Sequence, residues 1–300
     1  MRVFFPPVKD TPDMNAIPRL PPRSTRGRSI PVRPQRAEAD PVVFLPGLFM
    51  TSDVWVPICQ TMGLRNRLLL DLPGHSTGET AAQVIEMLHG DRWLDRMETR
   101  IAEFSGGRPV HLVGHSTGGL VSLLLAWRAP QLVRSLVLVG APITGHRDLP
   151  RDLGASLMAH DYAGRWSMLL LWRLGLATRN NFERTMATVM PRAAARNVPD
   201  EMRQSLQRCT PEAVRQFGKW VLEQDVTATM ERIDKPCLAI IGRNDSVVPA
   251  QHQIKLLHHL PQAQAQLVPG GHLPFVEKPQ HFARTLRGWL SLPHDTQTAG

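Results

Sequence analysis

Six short apolar runs punctuate the chain: VVFL (42–45), RLLLDL (67–72), VHLV (110–113), SLVLVG (135–140), CLAIIG (237–242) and AQLV (265–268). Each is almost continuous in its hydrophobicity and is bounded by Gly, Pro or Asp. A run without polar alternation suits a strand buried on both faces, as in a parallel sheet covered by helices. Helix-patterned stretches lie between them, at 81–105, 119–128, 250–260 and 280–291. Strand alternating with helix predicts an α/β fold built on a doubly wound, mostly parallel β-sheet. One interval, 142–232, breaks the rhythm. It has helix-like periods and no strong strand, punctuated by Gly154, Gly164, Gly175, Pro191, Pro199 and Pro211. So long a gap between neighbouring strands reads as an inserted all-helical cap rather than a loop. It is expected to cover the C-terminal edge of the sheet, where such sheets bind ligands. The core is then 41–141 and 233–292, with a tail at 293–300. Residues 1–40 are rich in Pro and Arg, with too little apolar surface to order themselves, and read as an irregular leader in which RSIPV could form a short edge strand.

The net charge of +9 raises the question of nucleic acid. The basic residues are nearly all arginine, scattered among acids, and the chain has a single tyrosine. No basic run interleaved with aromatics exists, so no nucleic-acid partner is expected. Cys59, Cys209 and Cys237 are far apart and odd in number, which argues for a reducing compartment. The apolar stretch WSMLLLWRLGL (166–176) is too short to span a bilayer and carries Arg173. No secretory h-region opens the chain. The expectation is a cytoplasmic protein with no stable membrane anchor; oligomeric state is not legible.

The pentapeptide GHSTG occurs twice, at 74–78 and 114–118. G-x-S-x-G is the form of a nucleophile elbow, a strained strand-to-helix turn that lifts a serine out of the backbone. Around Ser116 the context is complete: VHLV supplies the strand and GLVSLLLAW an apolar helix. Around Ser76 it is weaker. Pro73 precedes the turn, Glu79 and Thr80 follow it, and the next helix has one apolar stripe only. Ser116 is therefore the expected nucleophile and Ser76 a loop or capping serine.

A serine hydroxyl needs a base, and the base needs an acid to orient it. In elbow-bearing α/β folds these follow in the order Ser, Asp or Glu, then His. CLAIIGRNDSVVP places Asp245 just past one strand, and AQLVPGGHLPFVEKPQHF places His272 just past another. Both lie at the strand ends that carry Ser116. The oxyanion of a tetrahedral intermediate requires two donors, for which the backbone N–H groups of Thr117 and Leu48 are the candidates; Gly47 allows the turn that presents Leu48. His115 could line the pocket or pack behind the serine. Phe49, Trp166, Leu170 and Leu273 are the apolar candidates for substrate contact. His258 and His259 point apart on a helix, no H-E-x-x-H occurs, and neither a metal nor an organic cofactor is expected.

Taken together, FLPGLFM, DLPGHSTG, LVGHSTGG, APQLVRSLVLVGAP, IIGRNDSVVP and GGHLPFVEKPQHF resemble the α/β-hydrolase superfamily, in the branch with a helical lid after the sixth strand. The resemblance covers residues 41–291. It implies an eight-stranded fold, the Ser116–Asp245–His272 triad and the two backbone donors. It also accounts for the first GHSTG. Residues 71–78 resemble a family loop, D-x-P-G-x-G-x-S, with Ser76 where Gly is usual and Gly78 where Ser is usual. Pro46-Gly47 stands in place of the usual His-Gly, and the early β-hairpin of the family is poorly visible.

A serine at the elbow points to acyl transfer to water from a small hydrophobic ester or thioester, with no cofactor. The same triad supports C–C bond hydrolysis and perhydrolysis, and GHSTGG resembles the elbow of haloperoxidase-like perhydrolases. Two other classes stand against the enzyme: a non-catalytic scaffold that binds a small ligand, and a binder of anionic surfaces that rests on net charge alone.

Overall fold

The computed structural model describes residues 40–144, 160–292 and 294. Strands β1 (Val42–Leu45), β2 (Arg67–Leu69), β3 (Val110–His115), β4 (Val133–Val139), β5 (Cys237–Gly242) and β6 (Ala263–Val268) form one sheet in the order β2-β1-β3-β4-β5-β6. Every pairing is parallel. Of the six runs behind the expectation, those at β1, β3 and β5 are buried along their whole length, and β2 at one edge is half-buried throughout. At the edge the reading fails: Gln264, Ala265, Gln266 and Leu267 of β6 are exposed, because an edge strand has a partner on one side only. The described residues hold six strands against the eight implied by the resemblance. The leader, including RSIPV and the region of the family hairpin, lies outside the described residues.

Alternation along the strands divides the core in two. Val42 and Phe44 of β1 join Val113, Val137 and Ile240 in one apolar cluster; Val43 and Leu45 join Leu112, Leu136 and Leu138 in the other. Side chains of successive strand residues point to opposite faces, so each cluster is one face of the sheet. The first is covered by α1 (Val56–Met62) and α13 (Pro279–Leu290), the second by α3 (Arg92–Ser105) and α4 (Thr117–Arg128). The stretch 81–105 is two helices rather than one. Gly90 (φ 64°) and Asp91 (φ 56°) interrupt it in the left-handed region, after α2 (Ala81–Leu88). Thr80 and Gln83 form a reciprocal capping box at the start of α2.

Between β4 and β5 the described residues form α5 (Asp161–Gly175), α6 (Arg179–Met186), α7 (Arg192–Ala195), α8 (Asp200–Gln207), α9 (Pro211–Leu222) and α10 (Thr227–Met230). One isolated bridge, Thr144 to Asp225, is the only extended pairing among them. α5 is two-sided. Met168 and Trp172 are buried in the first core cluster, and the Trp172 indole N–H donates to the Leu206 carbonyl at 2.9 Å. α11 (Ala250–His259) follows β5, and α12 (Pro274–Glu277) follows β6. Among the described residues no helix is long and apolar enough to cross a membrane.

Candidate active site

The second GHSTG makes a sharp turn between β3 and α4. Ser116 sits at φ 50°, ψ −120°, a conformation that bulky L-residues avoid, and three neighbouring glycines make it feasible. A Cβ on Gly114 would fall 2.4 Å from the Gly118 carbonyl oxygen; one on Gly118, 2.4 Å from that of Leu45; one on Gly119, 2.4 Å from the Ala141 Cβ. Strand, turn and helix thus cross at backbone contact, which is why the helix that follows must be apolar and buried. The Ser116 N–H donates to Val139 at 2.8 Å, tying the elbow to the end of β4.

Gly140, the next residue of that strand end, lies in the left-handed region (φ 59°) beneath two of the expected partners. A Cβ there would be 3.1 Å from His272 Nδ1 and 3.3 Å from Asp245 Oδ2. His272 and Asp245 are themselves paired, Nδ1 to Oδ2 at 2.9 Å, with both side chains buried. Asp245 is saturated: Oδ1 accepts from the N–H groups of Val247 (2.9 Å) and Val248 (2.8 Å), and Oδ2 also accepts from Gln253 Nε2 (2.9 Å). An Asp245 held as acceptor at both oxygens accepts a hydrogen bond from the Nδ1–H of His272, so the proton stays on Nδ1 and Nε2 carries the free lone pair. His115 reaches the same corner. Its Nε2–H donates to the His272 carbonyl at 2.9 Å, its ring lies 4.6 Å from that of His272, and burial together with His272 depresses its pKa well below the ordinary value.

The loop after β1 closes the other side. A Cβ on Gly47 would meet His115 Nδ1 at 2.8 Å and Ser116 Cβ at 3.2 Å, so this position admits glycine only. The Met50 N–H donates to the Gly47 carbonyl at 3.2 Å and makes the loop a tight turn. Among the described residues neither the Leu48 N–H nor the Thr117 N–H has an acceptor. Two unengaged donors thus lie near the serine in the chain or in space, one in the turn whose Gly47 has no room for a Cβ beside Ser116 and one at the start of α4.

Of the apolar candidates, Phe49 is half-buried with its ring edge-on to Trp172 at 6.5 Å between centroids, and Leu273 is fully buried in the first core cluster. Trp166 and Leu170 are not brought to this corner. They lie 70% and 58% exposed on the outer side of α5, one helical turn apart, while Met168 and Trp172 occupy the inner side. Hydrophobicity alone did not reveal which face of α5 turns inward.

Three positions were missed. Gln253 is buried and holds Asp245; Gly140 makes room for the His–Asp pair; Glu277 accepts from the N–H groups of Gly271 (2.7 Å) and Leu273 (3.1 Å), on either side of His272. Only Gly140 carried a sequence signal, as the glycine that closes SLVLVG. Among the described residues no group of three or more His, Cys, Asp or Glu side chains is placed to hold a metal ion. All three cysteines are buried and unpaired, and burial pushes each thiol up to about 12.

The comparisons with known proteins bear on the family of the chain. The model of the alpha/beta hydrolase family matches residues 42–285. A pimeloyl-[acyl-carrier protein] methyl ester esterase of Nitrosomonas europaea is 31% identical over 255 residues, which covers 80% of this chain and 92% of that protein. A protein of the same description from Neisseria meningitidis is 26% identical over 232 residues, covering 74% of this chain and 81% of its own length. Among solved structures, a thermophilic esterase from Thermogutta terrifontis matches with a TM-score of 0.63 at 20% identity, over 84% of this chain and 89% of that one, a likeness of fold. On the family match and on the relative from Nitrosomonas, the chain belongs to the alpha/beta hydrolase family.

Proposed function

We propose that the protein is a serine esterase that cleaves a carboxylic ester through Ser116, His272 and Asp245. The observation that carries the reading is the buried His272–Asp245 pair at 2.9 Å, set at the same strand ends as a serine in a strained elbow. His272 Nε2 is the base that takes the Ser116 proton as Oγ attacks the ester carbonyl. The N–H groups of Leu48 and Thr117 receive the oxyanion, each worth about 3 kcal/mol in the transition state. The imidazolium, stabilised by Asp245, returns its proton to the departing alcohol. Water, activated by the same imidazole, then releases the acyl group from Ser116.

The helices between β4 and β5 act in this reading as a cap. Trp172, edge-on to Phe49 in the loop that bears Leu48, supports an apolar wall beside the serine. The names of the relatives point to a methyl ester of an acyl group borne on an acyl-carrier protein as the substrate class. A single apolar wall suits such a group, and a small alcohol needs no pocket of its own. No nucleic acid or metal enters the scheme.

The test is steady-state hydrolysis of a methyl ester, monomethyl pimelate on a carrier protein, beside the p-nitrophenyl ester of a short fatty acid. The reading expects turnover of both by the wild type and none above background by Ser116→Ala and His272→Ala. Turnover that persists in Ser116→Ala contradicts it.

A further inference from the structure

The first GHSTG is left without a role by this chemistry, yet its Gly74 and His75 are buried and His75 bonds to the oxyanion turn. His75 Nε2 accepts a hydrogen bond from the Phe49 N–H at 3.1 Å, and His75 Nδ1–H donates to the Pro73 carbonyl at 3.1 Å. Asp71, at the head of the same loop, accepts the Ser52 N–H at 2.6 Å. Phe49 has φ 62°, a left-handed conformation that costs a non-glycine residue on the order of 1 kcal/mol and persists only where the surroundings impose it. The turn that carries the Leu48 N–H is therefore gripped at three points: Gly47 against His115 and Ser116, Phe49 by His75, and Ser52 by Asp71.

Building on the esterase reading, we propose that His75 is a positioning residue for the oxyanion hole. It takes up the Phe49 N–H so that the neighbouring Leu48 N–H faces Ser116, with Asp71 anchoring the far end of the turn.

The grip is itself well founded. The His75 N–H donates to the Leu72 carbonyl (3.0 Å), its own carbonyl accepts from the Cys209 thiol (3.1 Å), and its ring stands edge-on to Phe217. Gly74 is pressed onto the segment that carries Phe217: a Cβ on it would meet the Ala213 carbonyl oxygen at 2.6 Å. Glu79 accepts from the N–H groups of Gly74 (2.7 Å) and Ser76 (3.4 Å), on either side of His75. Glu277 does the same for Gly271 and Leu273 around His272. Each histidine is thus set in a loop whose flanking amides are tied down by one carboxylate. Cys209 and Phe217 belong to the stretch between β4 and β5, so that stretch touches the oxyanion turn through His75.

The chemistry of the acceptor gives a test that mere packing cannot imitate. A Gln at position 75 can set an acceptor where Nε2 stands, an Asn reaches only as far as Nδ1, and a Leu has no acceptor. The measurement is kcat and KM for a p-nitrophenyl ester, together with the rate at which a fluorophosphonate labels Ser116 by intact mass, on His75→Gln, His75→Asn and His75→Leu. The inference expects Asn and Leu to lose about 10- to 100-fold in kcat and in labelling rate, with KM near that of the wild type, and Gln to recover most of the loss. Any other order overturns it, including a Gln variant no better than Asn or a Leu variant equal to the wild type. If Leu fails to fold, the Gln–Asn pair decides alone. Failure of the esterase reading is separate: wild type would then take no adduct at Ser116.

Discussion

The pentapeptide GHSTG, used twice in one chain, gives two different local structures. At 114–118 it lies between a buried strand and a buried helix, and close approaches at Gly114, Gly118 and the following Gly119 accompany a serine at φ 50°. At 74–78 it is a loop in which Gly74 and Gly78 take the positive φ values (81° and 82°), and Ser76 does not. Even the histidines differ in proton position. His115 donates from Nε2 to a carbonyl, whereas His75 accepts at Nε2 and donates from Nδ1. The same five residues therefore act as an elbow where strand and helix close on them, and as a prop where a loop has room. The motif is permissive, and its tertiary neighbours choose.

The comparison can be broken most forcefully at the serines. Ser116→Ala is expected to lower kcat by about 10⁵-fold and Ser76→Ala to leave it unchanged, read by ester turnover. Next come the glycines. Gly118→Ala sets a methyl against the Leu45 and Pro46 carbonyls and is expected to cost about 3 kcal/mol of stability in urea unfolding. Gly78→Ala has open space and only an unfavourable φ, for about 1 kcal/mol.

Acid sharpens the contrast more gently. Burial pushes the His75 pKa down to about 4, against 6.5 for the unfolded chain. Between those values the unfolded state holds the proton and the folded state does not, so stability falls as pH drops through this window, by up to about 1.4 kcal/mol per unit. Asp71 and Glu79, whose pKa values burial raises, act with the opposite sign and offset part of it. His75→Gln is expected to flatten the loss measured by urea unfolding at pH 7, 5.5 and 4.5. His111, also held at about 4 by burial, and His115, held well below its ordinary value, leave a remaining slope.

Much of this was legible. VVFL and CLAIIG are β1 and β5 to the residue, because a strand buried on both faces has no polar position to blur its limits. The order Ser, Asp, His at strand ends picked out Ser116, Asp245 and His272 as candidates, and the structure pairs the last two beside the strand end to which the Ser116 N–H is bonded. What escaped depends on contacts that no local pattern carries. The hydrogen bond from Phe49 to His75 joins residues 26 apart, and Gln253 reads as an ordinary helix residue until it is seen holding Asp245. α1 was not read at all. It begins at Val56-Pro57, where a proline marks a helix start as readily as a loop. Trp166 and Leu170 looked like pocket residues because α5 is apolar nearly all round its surface.

The most direct measurement of the central claim is intact mass after treatment with a fluorophosphonate, on the wild type, Ser116→Ala and Ser76→Ala. The account predicts one adduct on the wild type and on Ser76→Ala, and none on Ser116→Ala. An adduct that survives in Ser116→Ala, or is lost in Ser76→Ala, contradicts it.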